Sequence, residues 1–207
     1  MQGLMMNRPL MISALLKHAS QNHSDTEIVS RLPVGGTHRY TYADAHRRAR
    51  QLVRLLLSLG VGAGDRIGTL AWNTHRHFEI YYAVSGMAAI CHTINPRLFP
   101  DQIAYIANHA DDGYIFFDLS FAALVETLVP LCPGVKGWIA LCSPDQMPGN
   151  AIPNLLCYEN LLADQSDDYD WPQFDENTAS SLCYTSGTTG RMQSRAEAPS
   201  ASGWLAP

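Results

Sequence analysis

The sequence predicts an α/β fold built on a doubly wound, mostly parallel sheet. Two observations lead to this prediction. Short apolar segments rich in β-branched and aromatic residues alternate with longer segments in which apolar residues recur every three or four positions. Glycine and proline stand at many of the boundaries between these segments. Strands that alternate with helices are typical of parallel sheets, which bind ligands in loops at the carboxyl ends of their strands.

The chain begins with a predicted helix over about residues 10–20. A strand pair follows in the segments "TEIVSRL" and "THRYTY", with "PVGG" as its turn. Thr41 and Asp44 have the spacing of a capping box, in which the two side chains bind free amides at the start of a helix. That helix ends at Gly60. Its predicted buried face consists of Ala45, Ala49, Leu52, Val53, Leu56 and Leu59.

Four further strands are predicted, in "DRIGTLAW", "ICHTI", "YIFFD" and "KGWIALC". Three helices separate them: the largely apolar and therefore buried "HRHFEIYYAVSGMAA", a helix that opens at Phe99, Pro100 and Asp101, and "FAALVETLV". The apolar face of the middle helix is predicted to be Ile103, Ile106, Ala107 and Ala110. Residues 143–175 are rich in proline and acidic residues, which predicts a surface connection with one short helix, "CYENLLAD". The last predicted strand is "SSLCY".

The composition excludes several classes of function. A net charge of −5, with only 14 lysines and arginines, argues against a nucleic-acid partner. The one local cluster of positive charge is predicted to be a solvated helix face, formed by Arg47, Arg48, Arg50 and Arg54. Five cysteines without a CxxC pair indicate reduced thiols and a cytoplasmic location. No apolar run has the 18 residues that a transmembrane helix needs.

Three familiar kinds of site are not expected. "GVGAGDRIG" follows a helix and precedes a strand, which is the reverse of a dinucleotide-binding fingerprint. His75 and His77 do not have the spacing of a helical zinc site, so no metal ligands are predicted. No G-x-S-x-G elbow is present, and Cys183 is interpreted as a core residue of its strand, so no catalytic residue is assigned.

The segment "YTSGTTG", from Tyr184 to Gly190, is the strongest candidate for a binding site. It follows an apolar strand and offers four hydroxyl groups together with two glycines. Glycines allow successive backbone amides to converge on an anion, and hydroxyls add further donors. It is not a Walker A loop, because the required lysine is absent. Taken alone, the segment is equally compatible with a phosphate-binding loop and with a flexible linker.

Longer stretches favour the first alternative. "TSGTTG" resembles the phosphate-loop signature of the AMP-forming adenylating enzymes, and residues 40–118 resemble the early part of the same family throughout. The stretch from Trp72 to Asn108, which contains "HTINPRLFPDQIAYI", is most similar to fatty-acyl-CoA ligases of the medium-chain and methylthiopropionate-activating branch. The resemblance extends over about residues 8–190. It implies that residues 1–190 form a partial N-terminal AMP-binding (adenylation) domain with an incomplete sheet.

The resemblance also implies a chemistry. In such enzymes a fatty acid or other small carboxylate attacks the α-phosphate of ATP, and coenzyme A then displaces AMP from the acyl-adenylate. The positions that match the signature would cradle the β- and γ-phosphates with Mg²⁺ nearby. They are Thr185, Ser186, Gly187, Thr188, Thr189 and Gly190.

The sequence departs from the family after Gly190. The signature continues with proline and lysine, whereas this chain has Arg191, Met192, Gln193 and Ser194. Residues 191–207 resemble no part of the family and are expected to be an unrelated, disordered tail, produced by truncation or a frameshift. We therefore expect a fragment of an acyl-CoA ligase that is inactive alone. The alternative is a non-catalytic module that binds a partner or, weakly, a nucleotide, or self-associates through "SSLCY" as an exposed sheet edge.

Overall fold

The computed structural model describes residues 3, 8–149, 152–186 and 192–197 of the chain, and six helices and nine strands lie in these ranges. The helices are α1 (Ile12–Asn22), α2 (Tyr42–Ser58), α3 (His75–Gly86), α4 (Pro100–Ala110), α5 (Ala122–Leu128) and α6 (Tyr158–Ala163). The strands are β1 (Glu27–Arg31), β2 (Thr37–Thr41), β3 (Arg66–Leu70), β4 (Ile90–Thr93), β5 (Asp112–Phe117), β6 (Gly137–Ala140), β7 (Leu155–Cys157), β8 (Ser181–Ser186) and β9 (Met192–Glu197).

Within the described ranges, seven of these strands form one sheet in the order β7-β6-β5-β3-β4-β8-β9. All neighbours up to β8 are parallel, and only β9 runs antiparallel to its neighbour. β1 and β2 form a separate antiparallel hairpin. The predicted fold class, an α/β fold with a mostly parallel sheet, is therefore confirmed.

Helices cover both faces of the sheet. Alternate residues of each strand point to opposite faces, so that Phe116 of β5 packs with α1, α2, α3 and α6, while Phe117 packs with α4 and α5. The predicted apolar face of α4 is buried at all four positions. On α2 the predicted residues are also buried, except that Leu59 is only partly buried and Leu55 adds to the face.

The predicted capping box starts α2 as expected. The amide of Asp44 donates to Thr41 Oγ1 at 3.2 Å, and the amide of Thr41 donates to Asp44 Oδ2, also at 3.2 Å. Two free amides at the helix start are satisfied in this way, and the hairpin passes directly into the helix. The hydroxyl of Thr41 also donates to Asp44 Oδ2 at 2.8 Å, and this bond, followed by the one from the Thr41 amide, lowers the pKa of the Asp44 carboxyl.

The centre of the sheet contains a buried polar pair that spans three strands. His92 of β4 lies beside Gly68 of β3, and its Nδ1 is 2.7 Å from Oδ2 of Asp112 on β5. A methyl group on Gly68 would lie 3.0 Å from that carboxylate oxygen and 2.9 Å from Ile115. The glycine therefore provides the space through which the imidazole reaches the carboxylate. Both side chains are fully buried, and burial raises the pKa of the Asp112 carboxyl.

The segment 143–175 is more ordered than the sequence predicts. It contains β7, a three-residue strand that is too short to show a period, as well as the predicted helix α6. Trp171 lies against Gly86 of α3, and its indole Nε1 donates to Nε2 of His46 at 2.9 Å. Asp167 of the acidic run forms a 2.7 Å ion pair with Arg50. The connection thus packs along one face of the domain.

The structure also differs from the expectation for the end of the chain. Residues 192–197 fall in the segment expected to be disordered, but they form β9 and pair antiparallel with the whole of β8. The "SSLCY" strand is therefore not a free edge, because β4 lies on one side of it and β9 on the other. The physical reason is that an unpaired strand offers a row of backbone donors and acceptors to any extended segment nearby. Residues 191 and 198–207 lie outside the described residues.

None of the helices in the described part of the chain combines the length and apolar character needed to cross a bilayer.

The central glycine gives a test of the sheet. We expect Gly68→Ala to destabilise the chain by about 1–3 kcal/mol, because the added methyl group must displace Ile115 or the Asp112 carboxylate. Gly134→Ala is the matched control, since nothing lies within 4 Å of a methyl group there and its backbone is not left-handed. Urea unfolding measures both changes. Equal stabilities for the two variants would contradict the close passage of the His92–Asp112 contact over Gly68.

Candidate functional site

The predicted phosphate loop begins at the carboxyl edge of the parallel sheet. β8 includes Thr185 and Ser186 as its last two residues, and it runs parallel to β4. Its end therefore lies on the same edge as the ends of β3 to β6. Gly187, Thr188, Thr189 and Gly190 lie outside the described residues. The two described members of the predicted site thus stand where a parallel sheet binds its ligands.

The same edge contains a topological switch point. After β3 the chain turns into α3 on one face of the sheet, whereas after β4 it turns into α4 on the other face. Connections that leave neighbouring strands in opposite directions open a crevice between the strand ends, and open α/β sheets bind ligands there. The crevice between β3 and β4 is one strand away from β8.

A cavity of about 520 Å³ opens at this switch point. Its walls are aromatic on the α3 side and polar at the strand ends, and none of the described residues that line it is an acid, a lysine or an arginine. They are Ile28, Ser30, Asn73, Thr74, His77, Phe78, Tyr81, Tyr82 and Thr93. A cavity of this size and lining suits an uncharged, largely apolar group and does not suit a triphosphate.

Thr93 connects the cavity to the strand that leads into the predicted loop. It lines the cavity, and its Oγ1 is 3.6 Å from Sγ of Cys183 on β8. On the other side of the cavity, His77 Nε2 is 3.3 Å from Thr69 Oγ1. Burial lowers the pKa of His77, so its ring is neutral at neutral pH. The cavity and the start of the loop are therefore neighbours in the fold.

A smaller cavity of about 200 Å³ lies beside it, on the β5 and β6 side. Thr74, the residue before α3, lines both cavities and is 6% exposed. Asp118 follows β5 and accepts a 2.6 Å hydrogen bond from the amide of Trp72. Burial raises the pKa of this carboxyl, and the hydrogen bond from Trp72 opposes that shift. Arg76 also lines this cavity and donates to the carbonyl oxygen of Leu141 at 3.0 Å.

An ionic cluster joins α3 to α2 and α6. It consists of Arg48, Arg76, Glu79 and Glu159. Arg48 Nε donates to Glu79 at 2.8 Å, and its Nη2 donates to Glu159 at 3.1 Å. Arg76 Nε donates to the same Glu159 at 2.7 Å. Glu79 is fully buried, and it also accepts a 2.7 Å hydrogen bond from the hydroxyl of Tyr158. Burial raises the pKa of Glu79, while its contacts with Arg48 and Tyr158 oppose that shift.

This cluster is not predicted from the sequence. The prediction that Arg48 belongs to a solvated face, made because its position on α2 is polar, is wrong: the side chain is 19% exposed and paired on two sides. One signal was available: Glu79 is the single acid in the apolar segment "HRHFEIYYAVSGMAA", and a buried acid requires a partner.

Two histidines stack beside the cluster. The rings of His38 and His75 have centroids 3.7 Å apart with an interplanar angle of 16°. Burial, together with the positive charge of His38, Arg76 and Arg48, lowers the pKa of His75 to about 3. The pKa of His38 is also lowered, first by burial. Among the described residues, no group of three or more histidines, cysteines and acids is placed to hold a metal ion.

The chain resembles known proteins both in sequence and in fold. Residues 16–192 match the AMP-binding enzyme family. The chain is 48% identical over 190 residues to a 3-methylmercaptopropionyl-CoA ligase of Ruegeria lacuscaerulensis, and 43% identical to a medium-chain-fatty-acid–CoA ligase of Ectopseudomonas oleovorans. Each alignment covers 92% of this chain and 35% of the relative. The chain thus spans about a third of the length of these curated relatives.

Solved structures agree on the fold. The anthranilate CoA ligase AuaEII, solved in complex with anthranoyl-AMP, superimposes with a TM-score of 0.80 over 95% of this chain and 36% of its own, at 19% identity. The chain therefore has the fold of about a third of that solved ligase.

The ionic cluster predicts a strong dependence of stability on Arg48. We expect Arg48→Ala to cost about 3–5 kcal/mol, because it leaves the buried Glu79 without its counter-ion. Arg39→Ala is the control: this arginine pairs with Glu27 at 2.6 Å, but the two side chains are 59% and 49% exposed. Its loss should cost at most about 1 kcal/mol. Thermal and urea unfolding distinguish the two, and similar costs would show that the cluster does not stabilise α3.

The lowered pKa of His75 predicts that the chain loses stability in acid. Its pKa is about 3 in the folded chain and about 6.5 in the unfolded chain, so the unfolded state binds more protons between these values. The free energy of unfolding must therefore fall as the pH falls through this window.

The variant His75→Phe tests this, because phenylalanine can still stack on His38 but does not titrate. Between pH 7 and pH 5 the wild type should lose about 2 kcal/mol more than this variant. His23→Phe, which replaces an exposed ring, should leave the pH dependence unchanged. A wild type and a His75→Phe variant with the same pH profile would contradict the neutral, buried state of His75.

Proposed function

The chain belongs to the AMP-binding enzyme family, and we propose that it is the N-terminal part of an ATP-dependent acyl-CoA ligase, with the phosphate-binding loop at the end of β8. The observation that supports this most directly is the position of "TSGTTG". The family match runs through this segment, and its first two residues stand at the carboxyl edge, beside a switch-point crevice.

The proposed loop consists of Thr185, Ser186, Gly187, Thr188, Thr189 and Gly190. Its hydroxyls and amides would donate to the β- and γ-phosphates of ATP, and Mg²⁺ would enter with the triphosphate and share its charge. Donors fixed at this position stabilise the negative charge that develops on the departing pyrophosphate. In this chain Met192 and Gln193 stand where the signature has proline and lysine, so the lysine charge expected beside the phosphates is missing.

In the complete reaction a carboxylate oxygen attacks the α-phosphate of ATP, and the bond from the α-phosphate to pyrophosphate breaks. The thiol of coenzyme A then attacks the acyl carbon, and AMP leaves. We propose a small or medium-chain aliphatic acid as the substrate class, because the relatives that are 48% and 43% identical act on acids of that kind.

We expect the 207-residue chain not to catalyse this reaction by itself. Adenylation requires several groups that act together, and the loss of a subset costs orders of magnitude in rate. The chain spans 35% of its relatives, so most of the residues that could supply those groups in them have no counterpart here. Five free cysteines, four of them buried, are consistent with a reduced, cytoplasmic environment, where we place the protein.

The proposal is tested by titrating the isotopically labelled chain with MgATP and following amide shifts by NMR. We expect saturable shifts at residues 185–190, and no ATP–pyrophosphate exchange with octanoate or 3-methylmercaptopropionate.

Thr185→Val should weaken binding of MgATP about three- to tenfold, because one hydroxyl donor to a charged phosphate is lost. Thr127→Val on α5 is the matched control and should leave binding unchanged. Shifts that avoid residues 185–190 would overturn the assignment of the loop.

A further inference from the structure

The end of β8 extends beyond its parallel partner. The backbone pairing between β4 and β8 joins Cys91 to Ser181 and His92 to Leu182. The last four residues of β8, Cys183–Ser186, lie past this pairing, and their described backbone partner is the antiparallel β9. The direction in which β8 delivers the loop is therefore not set by the sheet alone.

Side chains hold this extension from both faces. On the α3 side, Cys183 lies 3.6 Å from the hydroxyl of Thr93, a weak contact for a thiol. On the α4 side, the hydroxyl of Tyr184 lies 2.6 Å from Nδ1 of His109, in the last turn of α4. The Tyr184 ring also lies 5.2 Å from the ring of His92, the buried partner of Asp112. The hydrogen bond to His109 is thus the shortest polar contact between the strand extension and the body of the domain.

We propose that His109 is a positioning residue for the phosphate loop, and that it acts through the hydroxyl of Tyr184, the residue directly before Thr185. This inference rests on the proposed function of the loop. His109 touches no nucleotide in this scheme. It fixes the end of β8, which carries Thr185 and Ser186, the first two residues of the proposed loop.

The chemistry of the contact suits this role. Burial raises the pKa of Tyr184, so its phenol stays protonated and can donate to Nδ1 of His109. In the tautomer that carries a hydrogen on Nδ1, the imidazole donates to the same phenol oxygen, and the contact is kept. The ring of Tyr105 lies over His109 with centroids 5.6 Å apart, which holds the imidazole in place on the surface of α4.

Amide hydrogen exchange on the full 207-residue chain tests the inference without a nucleotide. In Tyr184→Phe and His109→Ala we expect exchange at residues 183–186 to become about fivefold faster, which corresponds to one lost hydrogen bond. Exchange in β3 and β5 and the Tm should not change. His109→Asn should restore protection, because its side-chain amide can occupy the place of Nδ1. Tyr105→Phe is the matched control, since it keeps the ring over His109 and removes a hydroxyl that takes no part.

MgATP titrations of the same variants give the functional readout. We expect about fivefold weaker binding in Tyr184→Phe and His109→Ala, and wild-type binding in His109→Asn and Tyr105→Phe. Unchanged exchange at residues 183–186, or acceleration throughout the sheet with a lower Tm, would overturn the positioning role. If the wild type shows no MgATP shifts at residues 185–190, the proposed function fails, while the exchange data still decide whether His109 holds the strand.

Discussion

The absence of a side chain at Gly68 is the constraint on which the carboxyl edge of this domain depends. β3 is the central strand of the switch point, with β4 on one side and β5 on the other. Because Gly68 leaves its surface open on the α4 side, the His92 imidazole can reach Asp112 across the strand at 2.7 Å. Three strands are thereby joined by a buried polar contact in addition to their backbone ladders. Since both groups are fully buried, neither could remain there without the other.

The two faces of the sheet differ at this carboxyl edge: the buried pair lies on the α4 face, and the cavity lies on the α3 face. On the α4 face, the His92 ring lies next to Tyr184, so the polar centre of the sheet is continuous with the strand that leads into the loop. On the α3 face, the strand ends open into the aromatic cavity, and the ionic cluster around Glu79 holds α3 against α2 and α6. The end of β8, from which the proposed phosphate loop starts, is held by contacts on the α4 face, and the apolar crevice lies on the α3 face.

The sequence predicts the architecture well, because alternation and capping are local signals. The capping box of Thr41 and Asp44, the buried face of α4 and the alternation of strands and helices all follow from spacings of a few residues. Contacts between distant elements leave no such period. Arg48 and Glu79 are 31 residues apart, one on a helix face predicted to be solvated and the other in a helix predicted to be buried, and no local pattern pairs them. β7 has three residues, fewer than a period-2 pattern needs, and β9 forms on the free side of β8 without any alternation in "RMQSRAE".

In the candidate site too, the sequence gives the residue types but not the contacts that position them. The glycines and hydroxyls of "TSGTTG" favour a phosphate as the ligand, but they do not give the direction in which the segment leaves the sheet. The direction depends on the hydrogen bond between Tyr184 and His109. In the sequence, Tyr184 is only the first residue of "YTSGTTG", and nothing marks His109 as its partner. The two residues are 75 positions apart, and they meet only because α4 crosses back over the sheet from β4 to β5. The fold therefore sets the direction of the end of β8. The crossover from β4 to β5 through α4, which creates the switch point, also brings His109 to that end.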